Sequence, residues 1–269
     1  MPLKEGSWIL PKPGHKVSWL WRASSKLTLS VIGLSSKFWI EWMNRVQVHN
    51  RKTLYDLIEK RTEGQGLLTV CNHTSCMDDP LMWGVLRPRI LQIRNCMRWT
   101  SAAEDICFTR KSHTLLFSLG QVFPLKRGDG VYQKGVDFAI EQLDLGSWCH
   151  FFPEGKVNMT QEFVRLKWGI GRIISECKKT PIVLPIWHVG MDKVLPNKKP
   201  YIPRIKKHVT LLVGEPMFLE EEVKMLNSTC NSSNSIVVVE VVVVLLVVIV
   251  LAAAVVVVVV VVVVAAAVA

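Results

Sequence analysis

Asn72-His73-Thr74-Ser75-Cys76-Met77-Asp78-Asp79-Pro80 sets an imidazole and a carboxylate five positions apart, directly after the apolar run Leu67–Cys71. A loop of that length, opening a helix, lets the Asp78 carboxylate reach one imidazole nitrogen of His73. That contact fixes the tautomer and leaves the other nitrogen for a substrate. An imidazole held this way is a general base with a pKa near working pH. The spacing His-x4-Asp is common by chance, and a lone His is more often structural. The pair gains meaning only from what accompanies it.

Three further segments accompany it. Phe152-Pro153-Glu154-Gly155-Lys156 follows an apolar run and places a carboxylate beside a glycine, which permits close backbone approach to a ligand. Lys126-Arg127-Gly128 follows another and offers a cation that could hold a phosphate. Val183-Leu184-Pro185-Ile186 carries a Pro inside an apolar strand, which implies an edge or a bulge because Pro cannot donate to a ladder. Taken alone these would be an ordinary turn, a solvated basic turn and a strand end. In order, each at a strand, they form a set. No G-x-S-x-G elbow, P-loop or dinucleotide fingerprint competes with them. Cys71-x-His73-x-x-Cys76 has no second ligand pair downstream, so no metal is implied.

The elements that must position these residues are read from periodicity. Leu67–Cys71, Ile90–Ile93, Gln121–Leu125, Trp148–Phe152, Pro181–Val189 and Val209–Val213 read as short strands. Residues 79–86, the stretch ending at Leu119, 131–143 and 164–177 read as helices. Short apolar strands alternating with helices predict an α/β fold with a mostly parallel sheet flanked by helices. In such folds functional residues gather beyond the carboxyl ends of strands. Residues 17–43 are apolar but broken by Arg22, Lys26, Lys37 and Glu41. Their longest clean run is too short to span a bilayer, which predicts an N-terminal helix lying in one leaflet of a membrane rather than a spanning one. The organisation expected is a membrane-associated segment over 1–45, a catalytic domain over 46–230, and a Val/Ala tail over 231–269. From Ile236 to Ala269 only Glu240 is not Val, Ala, Leu or Ile. That composition reads as translated low-complexity sequence, with a tail anchor as the alternative.

The chain has 269 residues and a formal net charge of +11, from 33 basic and 22 acidic side chains. This excess favours an anionic partner. Lys4, Lys12, Lys16, Arg22, Lys26 and Lys37 are interleaved with Trp8, Trp19, Trp21, Trp39 and Trp42, a pairing suited to lipid headgroups. No nucleic-acid-binding motif accompanies them, so the partner expected is an anionic membrane surface and not nucleic acid. The seven cysteines are scattered, with no C-x-x-C, and read as reduced thiols.

The four blocks NHTSCMDDP, VFPLKRGDG, FPEGK and VLPIWHVG resemble the glycerophospholipid acyltransferase superfamily. The longer stretches GDGVYQKGVDFAIEQL, FPEGKVNMTQEFVRLKWGIGRII and LPIWHVGMDKVLPN are similar to its mitochondrial branch of cardiolipin-remodelling transacylases. The likeness runs from about Trp19 to about Pro216. It implies a CoA-independent exchange of acyl chains between phospholipids and lysophospholipids, cardiolipin among them, with no cofactor. The setting implied is a mitochondrial membrane, inner or outer, facing the intermembrane space and bound monotopically. His73 would be the general base and Asp78 its orienting partner. Glu154 and Gly155 would position the lysolipid glycerol, and Arg127 would contact its phosphate. Lys156 or backbone amides near Gly155 are candidate oxyanion donors. An acyl-CoA-dependent lysophospholipid acyltransferase would share every one of these motifs. A membrane scaffold that has kept the fold without the activity is the remaining alternative.

Overall fold

The computed structural model describes residues 8–229, so the Val/Ala tail and Cys230 lie outside the described residues. Seven strands form one sheet: β1 (Arg45–His49), β2 (Leu67–Cys71), β3 (Trp99–Ala103), β4 (Val122–Leu125), β5 (Trp148–Phe151), β6 (Ile182–Val189) and β7 (His208–Val213). The helices of the described residues are α1 (Trp19–Lys37), α2 (Arg51–Glu59), α3 (Asp78–Leu81), α4 (Pro88–Leu91), α5 (Glu104–Cys107), α6 (Lys111–Leu119), α7 (Lys134–Asp144), α8 (Gly169–Glu176), α9 (Met191–Val194) and α10 (Glu220–Thr229).

The strand order is β1-β7-β6-β2-β5-β3-β4. Strands β6, β2, β5, β3 and β4 run parallel, whereas β7 is antiparallel to β6 and carries β1 parallel to itself. The fold is the predicted α/β class. Its central strand shows why the sequence reads that way. Every residue of β2 is buried. Leu67 and Cys71 pack into the core on one face, with Ile58, Trp83, Trp148 and Leu184, while Leu68 and Val70 pack on the other with Ala139, Ile173 and Val183. A strand covered on both faces becomes a continuous apolar run.

Helix α1 closes one of these faces. Ser18 caps it by accepting from Trp21 N. Its buried stripe is Ser25, Leu29, Gly33 and Ser36, mostly small residues that allow close approach. Gly84 meets it from the other side: a Cβ there would lie 2.6 Å from the Ser36 carbonyl carbon and oxygen. The opposite side of α1 and the turn of π-helix after it (Phe38–Trp42) exposes Trp19, Leu20, Leu27, Val31, Leu34, Phe38 and Trp42. Lys37 and Glu41 do not interrupt that stripe. Lys37 Nζ folds back onto Glu41 Oε2 at 2.5 Å and the carbonyls of Gly84 and Leu86 at 3.3 and 3.2 Å. Among the described residues no helix is long and apolar enough to cross a membrane.

The structure corrects three readings. Ile90–Ile93 is not a strand: Pro88 starts the short helix α4, which buries Ile90 and Leu91. A four-residue apolar run carries no periodicity by which to decide. Residues 79–86 split into α3 and a 3₁₀ turn over Met82–Val85. The helix expected over 164–177 forms only over Gly169–Glu176. Of the edge or bulge expected at Pro185, the structure has the bulge: β6 pairs with β7 from Ile186↔Val213 onward, and the next bridge, Val183↔Met217, is out of register by one residue, while Pro185 itself pairs with Val70 of β2. The Pro185 carbonyl accepts from Gly214 N at 2.8 Å, which turns its donorless nitrogen toward the end of β7. The parallel ladder to β2 therefore loses no bond.

Candidate active site

The carboxyl ends of β2, β5 and β6 lie side by side, and each supplies part of one polar cluster. Past β2 the chain turns at once, Asp78 N donating to the Ser75 carbonyl at 3.0 Å. This brings the Asp78 side chain back under the loop. Asp78 Oδ2 accepts from His73 Nδ1 at 2.9 Å, from Thr74 N at 2.7 Å and from Ser75 N at 2.9 Å. The carboxylate is fully buried, while the His73 side chain keeps 18% of its surface. Among the described residues His73 Nε2 has no hydrogen-bond partner. The ring stacks on Phe152, centroids 4.1 Å apart.

Burial opposes ionisation of Asp78. The nearby imidazoles of His188 and His73 outweigh it and hold the carboxyl below the usual carboxylate range. An ionised Asp78 takes the proton of His73 on Nδ1, which leaves Nε2 as a lone-pair base.

From β5 comes Glu154, buried, whose Oε1 accepts from His73 N at 2.8 Å. Its Oε2 has no partner. Burial raises the pKa of Glu154, and the hydrogen bond from His73 N works against that rise. Gly155 stands at φ +71 with its surface exposed, a conformation costly to side chains that carry a Cβ. Its own N–H is engaged with the Phe152 carbonyl at 3.0 Å, and Lys156 is exposed. The Gly155 amide is therefore already used in the turn.

His73, Asp78, Glu154 and Gly155 are brought together. Arg127 is not. It follows β4, three strands from β2, or about 14 Å at ordinary strand spacing. There it is half-exposed, 3.8 Å from Asp105 Oδ2.

Several supporting residues escaped the sequence reading. Asn72 ties β2 to β6, donating to the His188 carbonyl at 2.9 Å and accepting from His188 N at 2.8 Å. Asn197 accepts from Cys76 N at 3.0 Å and donates to the Thr74 carbonyl at 2.9 Å. Asp79 is held by Arg98, Nε to Oδ1 at 2.8 Å and Nη2 to Oδ2 at 2.5 Å, and by the indole N–H of Trp83. His188 sits 3.3 Å from Asp78 Oδ2. A polar residue at the carboxyl end of an apolar strand, as in Trp187-His188, is the signal that could have found the last of these.

Two neighbouring nucleophiles, Ser75 and Cys71, are occupied or inert. Ser75 Oγ donates to the Leu195 carbonyl at 2.8 Å. Burial, with the negative charges of Asp78 and Glu154, pushes the Cys71 thiol well above its ordinary pKa, so it is no thiolate. Among the described residues no group of three or more His, Cys, Asp or Glu is placed to hold a metal ion. The arrangement is a buried carboxylate holding a part-exposed imidazole, able to take a proton from a hydroxyl or amine that then attacks an acyl carbonyl.

A family model described as Acyltransferase matches residues 45–189, which span β1 to the end of β6. The chain is 48% identical over 214 residues to a protein of Drosophila melanogaster named Tafazzin, covering 80% of this chain and 56% of that protein. It is 41% identical over 192 residues to an N-acylphosphatidylethanolamine synthase of Arabidopsis thaliana, covering 69% of this chain and 67% of that one. The chain thus spans little more than half the length of the fly relative. Among solved structures, the 1-acyl-sn-glycerophosphate acyltransferase of Thermotoga maritima superposes with a TM-score of 0.52 at 19% identity, over 79% of this chain and 80% of that one, a likeness of fold. With the matched model enclosing both His73 and Glu154, the chain belongs to the acyltransferase family, on its tafazzin branch.

Proposed function

We propose that the chain is a phospholipid–lysophospholipid transacylase that needs no CoA and remodels cardiolipin. The observation that carries this reading is the His73–Asp78 pair at 2.9 Å with His73 Nε2 open. His73 Nε2 removes the proton from the free hydroxyl of a lysophospholipid as that oxygen attacks the acyl carbonyl of a donor phospholipid. The tetrahedral intermediate then expels the donor's glycerol oxygen, and the His73 imidazolium returns the proton to it. Asp78 stabilises the imidazolium between these steps. Because the ester bond broken and the ester bond formed are of the same kind, the exchange runs in either direction. Glu154 fixes the backbone of His73, and with Gly155 it seats the glycerol. Arg127, on the loop after edge strand β4, reaches inward with its long side chain to the headgroup phosphate.

The setting proposed is a mitochondrial membrane facing the intermembrane space, by likeness to tafazzin. The exposed stripe from Trp19 to Trp42 rests in one leaflet, with Leu115 and Leu116 of the adjoining α6 beside it. The net charge of +11 favours an anionic surface.

A second reading comes from the 41% identity to N-acylphosphatidylethanolamine synthase. The same base would serve an amine acceptor, giving an amide instead of an ester. One assay separates the readings: labelled diacyl phospholipid is incubated with a lysophospholipid, with phosphatidylethanolamine, and with each plus acyl-CoA. Label in the lysophospholipid without CoA is the expected result. Label only in N-acyl product supports the second reading. A strict need for acyl-CoA overturns the transacylase reading.

A further inference from the structure

We propose that His188 is a positioning residue that shares the Asp78 carboxylate with His73 and thereby sets how strongly Asp78 holds the base. This rests on the reading of His73 as the base.

His188 lies near the end of β6 and is 1% exposed. Asn72 clamps its backbone on both sides, at 2.8 and 2.9 Å, and Asn72 immediately precedes His73. The two imidazoles are thus fixed to one another through a single side chain. His188 Nε2 stands 3.3 Å from Asp78 Oδ2, close enough for charge attraction but without hydrogen-bond geometry, and its Nδ1 likewise has no partner. Beside an ionised carboxylate the ring proton belongs on Nε2, where it faces the acceptor. Oδ2 then accepts three hydrogen bonds, from His73, Thr74 and Ser75, and has the His188 ring beside it as an unbonded fourth N–H, while Oδ1, also buried, has none. One oxygen offers about two lone-pair directions, so the donors compete. The contact from His188 is the longest of the four, which marks it as a modulator of the dyad.

Other ionisable groups around the pair are accounted for. Cys71 and His150 are buried, and burial holds both in their neutral forms. Glu154 is bonded to His73 N, and Arg98 is taken by Asp79. From β7, Leu211 stands opposite His188 and carries no charge. Removing His188 therefore leaves Asp78 with fewer donors and frees it to bind the His73 imidazolium more strongly. The base then stays protonated to higher pH, and the acid limb of the rate profile moves up.

The experiment compares wild type with His188→Gln and His188→Phe. The Gln side chain can keep a donor near the Nε2 position, whereas Phe fills the space without one. The readouts are kcat/KM against pH, and the pH titration of the His73 ring followed by nitrogen-15 NMR, which needs no activity. For His188→Phe the acid limb and the His73 titration should move up together by about one pH unit, a roughly tenfold loss on that limb that recovers at high pH. His188→Gln should stay near wild type. Unchanged profiles in a folded His188→Phe, or an equal drop at every pH, would overturn the proposal. If the Phe variant fails to fold, the wild-type spectrum still decides, since a His188 ring protonated on Nδ1 and bare at Nε2 refutes it. Full activity in His73→Ala would instead sink the reading of the base, whatever the titrations show.

Discussion

Replacing Asp78 by Asn tests the site at its most buried point. The Thr74 and Ser75 amides must keep an acceptor, so the amide oxygen will occupy the place of Oδ2 and the NH2 that of the unpartnered Oδ1. Geometry is then largely preserved, His73 Nδ1 still donates, and what is lost is the charge. The imidazolium formed during transfer would have stood with its charge about 4 Å from the carboxylate. At an effective dielectric of about 20 that attraction is about 4 kcal/mol, or roughly 10³-fold in rate at 1.36 kcal/mol per tenfold. The expectation is a fall in kcat of about 10²–10³, measured as label transfer from diacyl phospholipid to lysophospholipid at matched folded protein. A variant within about threefold of wild type would refute the claim that Asp78 stabilises a charged His73. Stability carries its own signature. The folded pKa of Asp78 lies below its unfolded value of about 3.9, so its contribution is complete above that pH and is lost as pH falls toward the folded pKa. The gap in Tm between wild type and Asp78→Asn should therefore be widest near neutrality and narrow below about pH 4.

Gly84→Ala should destabilise the fold by about 1–3 kcal/mol, seen as a lower denaturant midpoint, because its Cβ would stand 2.6 Å from the Ser36 backbone. Leu27→Glu with Val31→Glu, both on the exposed stripe of α1, should leave thermal stability near wild type and weaken binding in flotation with cardiolipin-containing vesicles; undiminished binding would remove α1 as the docking face. Arg127→Gln should raise KM for the lysophospholipid about tenfold with kcat little changed, as expected for a contact made equally in ground and transition states; a selective loss of kcat would place Arg127 in the chemistry instead.

The central sheet was legible because burial on both faces turns strands into apolar runs. Leu67–Cys71 was read to the residue and 148–152 to within one, and both lie in the middle of the sheet. Strands β4 and β7 were read to within one residue as well, whereas β1 and β3 were not legible. Edge strand β1 is Arg-Val-Gln-Val-His, with Arg45 and Gln47 turned away from the core, and so lacks an apolar run. Strand β3 (Trp-Thr-Ser-Ala-Ala) is small and half-polar along its second half. Helix α1 was read as broken by charge because sequence alone does not show that Lys37 folds back onto Glu41 and two carbonyls. In space the exposed stripe it leaves is continuous.

The site divides along the same line. His73 and Asp78 were found because one loop carries both, and Glu154 because β5 lies beside β2, so a motif after each strand lands at the same place. What the sequence could not give is the partner that arrives from 115 residues further on. His188 reads as one polar position in an apolar strand, and only the parallel pairing of β6 with β2, locked by Asn72, brings it to Asp78. Arg127 shows the converse. It belongs to the motif set in order along the chain, yet β4 is the far edge of the sheet, so sequence order implied a proximity that the strand order denies. The same reasoning explains why the base needs support from both sides of β2: its chemistry lies on a loop, and loops hold position only through the strands that flank them.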